Sequence, residues 1–315
     1  MTSHRSPRNG LALRELLTPP GMWARYEALC GEDPAVRTTR YILGNRESQL
    51  EWMHSVGVAQ DAGLASFGAP IPPVELRSKV ADPDVEAFLW TGFVDSVRML
   101  SCFEQHHALH SEGPFDVLDF GCGCGRLLRF FEPVHGQWRA VGADANPKLA
   151  SWCRDHLRSI SIVQNTVDGP MDGPSERFDL IYCLSVFTHL SEHKALRWLK
   201  EVERLLRPGG VFVATTHGET ALNTIEGSTA HRSMLDITDE QVRLVRNKLD
   251  REGFAYLPYR HDVLDLAGVG EDYGNSFTAP SYIRQHWASD SFELCDVLPG
   301  GLRGWQDLLV FRRRS

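Results

Sequence analysis

One segment limits the fold more than any other. Phe115-Asp116-Val117-Leu118-Asp119-Phe120 is a short apolar run, and it empties directly into Gly121-Cys122-Gly123-Cys124-Gly125. Arg126 to Phe131 then resumes with a helical pattern. Glycines at such a junction let the backbone turn sharply and approach a ligand with no side chain between them. Free N–H groups at the start of a following helix favour an anionic or acceptor group there.

The same alternation continues downstream. Trp138 to Ala143, Ile160 to Val163, Phe178 to Leu184 and Val211 to Thr215 read as further strands. Between them, Ala150 to Leu157 is helical, and Leu196, Leu199, Val202, Leu205 and Leu206 form the buried stripe of a helix capped by Ser191. Arg207-Pro208-Gly209-Gly210 ends that helix. Apolar strands alternating with helices imply a parallel sheet covered on both faces.

Upstream, residues 1–84 carry only helical stripes, with a proline-rich break at 68–73. They are expected to form a helical N-terminal cap, and residues 85–217 the core. Residues 218–290 interrupt the rhythm and contain a helix from Asp239 to Glu252. They are expected to form an insertion over the substrate. Within it, Tyr273-Gly274-Asn275-Ser276-Phe277 predicts a tight turn presenting aromatics. Residues 291–315 predict a hairpin, with strands at Phe292 to Leu298 and Asp307 to Arg312, that gives the sheet an antiparallel edge.

Composition narrows the function. The chain has 315 residues, 42% of them hydrophobic, and a net charge of -8. That balance argues against a nucleic-acid binder, which would show a basic face. No apolar run is long enough to span a membrane or to serve as a signal peptide, so a cytoplasmic address is expected. The seven cysteines include no CxxC pair and read as reduced thiols. No carboxylate or cysteine cluster suggests a metal. Only five of the 33 basic residues are lysine, the arginine bias of a GC-rich bacterial genome.

The loop reads D-x-G-x-G-x-G. A dinucleotide fingerprint would need glycine where Arg126 stands, so adenosylmethionine suits the loop better than NAD. Asp144 ends the second strand roughly 20 residues past the loop, where a carboxylate accepts both hydroxyls of a ribose. Its other possible role is to cap the helix that begins at Pro147.

These motifs are V-L-D-F-G-C-G-C-G-R (117–126), V-G-A-D-A-N-P (141–147), F-D-L-I-Y-C-L-S-V-F-T-H-L (178–190) and L-R-P-G-G-V-F-V-A-T-T-H-G (206–218). The chain carrying them resembles the class I adenosylmethionine-dependent methyltransferases of small-molecule type. The resemblance implies a Rossmann-like α/β fold, a seven-stranded mostly parallel sheet with an antiparallel C-terminal hairpin. It implies S-adenosyl-L-methionine as cofactor and S-adenosyl-L-homocysteine as product. Position by position, Asp119, Gly121, Cys122 and Gly123 would hold the methionine end. Asp144 would hold the ribose, Ala145 would lie beside the adenine, and Thr166 and Val167 would edge it. Leu184 and Ser185 would lie near the transferred methyl.

Methyl transfer needs an aligned, unprotonated nucleophile, and histidine is the usual general base. His189 and His217 follow the fourth and fifth strands and are the candidates. Each has a plain alternative as a loop anchor or core residue. Trp287 and Trp305 are open to either a pocket or a core role. The expected acceptor is a small molecule of bacterial specialised metabolism. Two alternatives remain: a peptide or carrier-bound acceptor, and non-methylating chemistry such as cyclisation or decarboxylation. A homodimer through the N-terminal helices is also expected to be possible.

Overall fold

The computed structural model describes residues 70–81, 83–109, 113–131, 138–260 and 273–314. Most of the expected N-terminal cap, and any pairing of copies through it, lies outside the described residues. Within them, helix α1 spans Val74–Val80 and α2 spans Val85–His106. Asp84 caps α2, its carboxylate accepting from the Ala87 N–H at 2.8 Å.

The parallel strands are β1 (Phe115–Phe120), β2 (Trp138–Asp144), β3 (Ser161–Gln164), β4 (Phe178–Cys183) and β5 (Leu206–Thr216). Between them run α3 (Pro147–His156) and α4 (Glu192–Leu205). After β5 come α5 (Glu219–Gly227), α6 (Thr229–Met234), α7 (Asp239–Glu252), β6 (Phe254–Pro258), β7 (Gly274–Thr278) and α8 (Pro280–His286). The chain ends with β8 (Phe292–Leu302) and β9 (Gln306–Arg313).

The main sheet has seven strands in the order β3-β2-β1-β4-β5-β9-β8. Strands β1 to β5 pair in parallel, and β9 runs antiparallel to both β5 and β8. This is the expected sheet with its reversed hairpin. The winding changes direction between β1 and β4, and ligands bind beyond the strand ends at such a switch point. Every residue of β4 is buried, as a strand covered on both faces requires. One face packs on α2 and α3 through Phe88, Phe103, Val117 and Leu149. The other packs on α4 and α8 through Leu118, Ile181, Leu199 and Ile283.

The starts of four strands are tied together by charge. Arg207 reaches Asp179 at 2.7 Å and Asp116 at 2.9 Å, and Arg139 makes a two-pronged contact with Asp116. That leaves the opposite ends of the strands to build a site.

Three expectations change. Arg126 to Phe131 is not an α-helix but a turn followed by a single 3-10 turn at Leu128–Phe130. Leu128, Phe130 and Phe131 are fully buried, and Arg126 is drawn sideways to Asp95 at 2.6 Å. A helix with one wet face does not suit a segment buried all round. Residues 273–277 do not form a tight turn, because Gly274 to Thr278 is a strand paired with β6. A Cβ on Gly274 would lie 2.1 Å from the Leu257 carbonyl, so this glycine serves close strand approach. Finally, β8 extends through Pro299-Gly300-Gly301 by a shift in register between Leu298 and Leu302.

Elements α5 to β7 pack around their own cluster of Leu222, Ile225, Val245, Leu249 and Phe277. Helix α7 starts with a full capping box between Thr238 and Gln241 and ends at Gly253 in the left-handed conformation. Single bridges, Leu190 to Tyr273 and His217 to Phe277, fasten this unit to the loops after β4 and β5.

Candidate functional site

The glycine loop follows β1 as expected. Gly121, Gly123 and Gly125 have φ of +82°, +56° and +78°. The N–H groups of Gly121 and Cys122 both donate to the Ala143 carbonyl at 2.8 and 3.0 Å, which folds the loop against the end of β2. A Cβ on Gly121 would lie 2.3 Å from Val186 Cγ2, and one on Gly123 would lie 2.7 Å from Val80.

Asp144 ends β2 beside the loop and is nine-tenths buried. Its Oδ2 accepts from Gly123 N–H at 2.7 Å and its Oδ1 from Asn146 N–H at 2.8 Å. Burial pushes its pKa up, and these two N–H groups hold it down. The cap of α3 is Asn146, whose Oδ1 accepts from the Lys148 and Leu149 N–H groups. Asp144 is thus spared for the loop and for whatever lies beyond it.

Asp119 lies below the loop and is 4% exposed. Burial raises its pKa to about 8, while Tyr182 and Arg126 act in the opposite direction and Asp144 adds to the rise. The Tyr182 hydroxyl lies beside it, outside full hydrogen-bond geometry.

A cavity of about 560 Å³ opens over these strand ends. Of the expected cofactor residues, Gly121, Gly123, Asp144, Ala145, Val167, Leu184 and Ser185 line it. Asp119, Cys122 and Thr166 do not line it. Cys122 is buried toward Gly142 and the α3 residue Cys153. Thr166 is exposed while Val167 turns inward, with its carbonyl accepting from Trp198 Nε1 at 3.0 Å. Ser185 carries φ +58°, rare for a residue with a side chain. Its N–H donates to Thr215 Oγ1 at 2.8 Å, and its hydroxyl meets the buried amide of Gln306.

His189 also lines the cavity. Its Nδ1 lies 3.0 Å from the Gly274 carbonyl and 2.9 Å from the Tyr259 hydroxyl. The ring stacks on Tyr273 at 5.5 Å. Burial lowers its pKa, and the Gly274 bond offsets part of that. His217 stands behind it, 2% exposed and outside the cavity lining, with ring centroids 6.5 Å apart. Phe277 and Trp305 enclose it, and burial takes its pKa down to about 3. Trp287 packs on Phe187 in the core, so neither tryptophan lines the cavity.

Sequence reasoning gave no role to Asn146, Trp198, Tyr259 and residues 234–236, which also line the cavity, whereas Tyr273 comes from the segment expected to present aromatics. Trp198 is buried on α4 beside the expected stripe, and no spacing marks it as facing a cavity. Tyr259 lies past the end of a short strand, and no spacing marks it. Among the described residues no cluster of histidine, cysteine and carboxylate has metal-ligand geometry, and no helix is long and apolar enough to cross a membrane.

The residues present fit adenosylmethionine. The loop backbone lines the cavity without side chains, and at Gly121 and Gly123 a Cβ would strike neighbours already in place. A buried carboxylate, Asp144, opens onto the same space, flanked by the small Ala145 and the apolar Leu149 and Val167. Asp144 would hold the ribose and the loop the methionine end.

Residues 117–210 match a methyltransferase domain family. The ubiquinone biosynthesis O-methyltransferase of Paramagnetospirillum magneticum is 30% identical over 185 residues, 55% of this chain and 69% of that protein. That of Cereibacter sphaeroides is 26% identical over 162 residues, 45% of this chain and 64% of its own length. The malonyl-[acyl-carrier protein] O-methyltransferase of Hahella chejuensis is 28% identical over 113 residues, 35% of this chain and 39% of its own. The chain therefore spans less than two thirds of the length of the latter two. Sheet order, glycine loop, buried ribose-type carboxylate and these matches agree, and the chain belongs to the class I S-adenosylmethionine-dependent methyltransferases.

Proposed function

We propose that the protein moves a methyl group from adenosylmethionine to an oxygen or nitrogen of a small molecule. The observation that carries this reading is His189, which lines the same cavity as Asp144 and the glycine loop and is held through Nδ1. A backbone carbonyl only accepts, so Nδ1 carries the hydrogen and Nε2 is free to take a proton. The low pKa of the buried ring keeps it neutral at working pH.

When bound, adenosylmethionine supplies an electrophilic methyl carbon on a positively charged sulfur. His189 would take the proton of the acceptor's hydroxyl or amine at Nε2, leaving the acceptor's lone pair free for that carbon. Tyr259, Tyr273 and residues 234–236 wall the acceptor's end and exclude water. His217, neutral and enclosed, supports the His189 ring from behind. The size of the walled cavity favours a small molecule over a protein side chain. A role in specialised metabolism has only the arginine-rich coding bias in its favour.

Methyl-labelled adenosylmethionine incubated with bacterial extract tests this. Label should appear in an extractable small product, and His189→Gln should slow its formation by roughly 100-fold or more. Label in protein would favour a peptide or carrier-bound acceptor. No transferred label would favour non-methylating chemistry.

A further inference from the structure

A chain of four hydrogen-bonding groups leads away from His189. The Gly274 carbonyl fixes hydrogen on Nδ1. The Tyr259 hydroxyl, 2.9 Å from Nδ1, donates its single hydrogen to Asn275 Oδ1 at 3.2 Å. Asn275 is 2% exposed, and its Nδ2 donates to the Leu235 carbonyl at 2.9 Å. That carbonyl can only accept, so the orientation of the Asn275 amide is settled by its partner. Each donor faces an acceptor, and the polarity runs one way from the histidine to the turn after α6 that walls the cavity.

Tyr259 is the weak point of this arrangement. A phenol both donates and accepts. Were its hydrogen free, it could donate to Nδ1, and the histidine hydrogen would move to Nε2. The ring would then have no basic nitrogen left for an acceptor molecule. Asn275 stands against that alternative beside the Gly274 carbonyl, because its Oδ1 claims the hydroxyl hydrogen.

We infer that Asn275 is a positioning residue that sets the tautomer of His189, holding the Tyr259 hydroxyl hydrogen so that Nδ1–H persists and Nε2 stays the proton acceptor. The functional consequence rests on His189 being the base. The tautomer itself does not. Burial raises the Tyr259 pKa well above the usual phenol range, so the phenol keeps its hydrogen throughout the working range. The other rings facing His189, Tyr273 and His217, are neutral there too, because burial pushes the Tyr273 phenol up and takes His217 down to about 3.

The test is the histidine tautomer in nitrogen-15-labelled full-length protein, read by long-range proton–nitrogen correlation and assigned with His189→Gln. Wild type should show Nδ1–H. Asn275→Ala should shift the tautomer ratio toward Nε2–H by about tenfold, the weight of one hydrogen bond. Tyr259→Phe should keep Nδ1–H, because Gly274 still accepts. The double variant Tyr259→Phe/Asn275→Ala should regain Nδ1–H, because the competing donor is gone. A merely structural Asn275 would leave the double variant no better than Asn275→Ala. Asn275→Asp retains an acceptor for the phenol and should keep the wild-type tautomer.

Adenosylhomocysteine binding checks that each variant is folded. Asn275→Ser, too short to reach Tyr259, carries the same expectation as Asn275→Ala should that variant not fold. Nε2–H in wild type, an unshifted tautomer ratio in Asn275→Ala or Asn275→Ser, or a double variant that stays shifted would each overturn the inference. If the tautomers behave as expected but His189→Gln transfers label at the wild-type rate, the base assignment fails and the positioning stands.

Discussion

Gly121 lies where two demands meet. Its φ of +82° disfavours any side chain, and Val186 occupies the place a Cβ would take. Left-handed backbone costs a non-glycine residue about 1–2 kcal/mol before any clash is counted. Gly121→Ala should therefore weaken adenosylhomocysteine binding by at least about tenfold in calorimetry. Adding Val186→Ala should recover only part of that, because it opens space without relieving the backbone. Asp144 gives a cleaner loss. If Asp144 holds both ribose hydroxyls, removing those two charge-assisted bonds should cost about 2–4 kcal/mol, roughly 30-fold to 1000-fold in affinity. Asp144→Asn retains one acceptor oxygen and should fall between wild type and Asp144→Ala in the same titration.

At the scale of elements, the two ends of the sheet divide the work. Asp179 accepts from the Asp116 N–H and from Arg207, both at 2.7 Å, and it is buried. Asp179→Ala strands a partly buried N–H and half releases Arg207. Global stability should drop by about 1–3 kcal/mol in denaturant melts while adenosylhomocysteine affinity stays within about twofold, because the site is at the far ends of the strands. The elements that sequence reasoning located are those with a strong period or a hard stop. Strands β1, β2, β4 and β5, the stripe of α4, the capped helix α7 and the final hairpin are of this kind. Asp144 and the glycine loop were legible because their chemistry is bound to a strand end. The β6–β7 ribbon was not, since Phe254–Pro258 and Gly274–Thr278 are short, and a glycine used for close strand approach looks the same as one used for a turn. Tyr259 and Trp198 were missed for a related reason. Which side chain faces a cavity depends on how separate elements pack, and neither residue carries a local mark of that.

For the whole molecule, two buried groups pull stability in opposite directions with pH. His217 has a folded pKa of about 3 against 6.5 when unfolded, so the unfolded chain binds its proton first. Its contribution is complete above 6.5 and is lost as pH falls toward 3. His189 acts in the same sense. Asp119 is the reverse. Its folded pKa of about 8 lies above 3.8, so the folded chain holds the proton more tightly, and stability is lost as pH rises from about 4 to about 8. Below 6.5 the slopes of His217 and Asp119 offset each other. Between 6.5 and 8 the Asp119 slope is unopposed by these histidines, at about 1.4 kcal/mol per pH unit. Urea melts of wild type should therefore show a loss on the order of 2 kcal/mol between pH 6.5 and 8. Asp119→Asn has no proton to give up, and its stability should be nearly flat over that interval. In acid the two proteins should trade places in slope. Asp119→Asn should lose stability more steeply than the wild type between pH 6.5 and 4, because the Asp119 slope no longer opposes those of His217 and His189. Parallel curves for the two proteins across both windows would mean that Asp119 is already ionised in the folded protein, with Tyr182 and Arg126 supporting the charge.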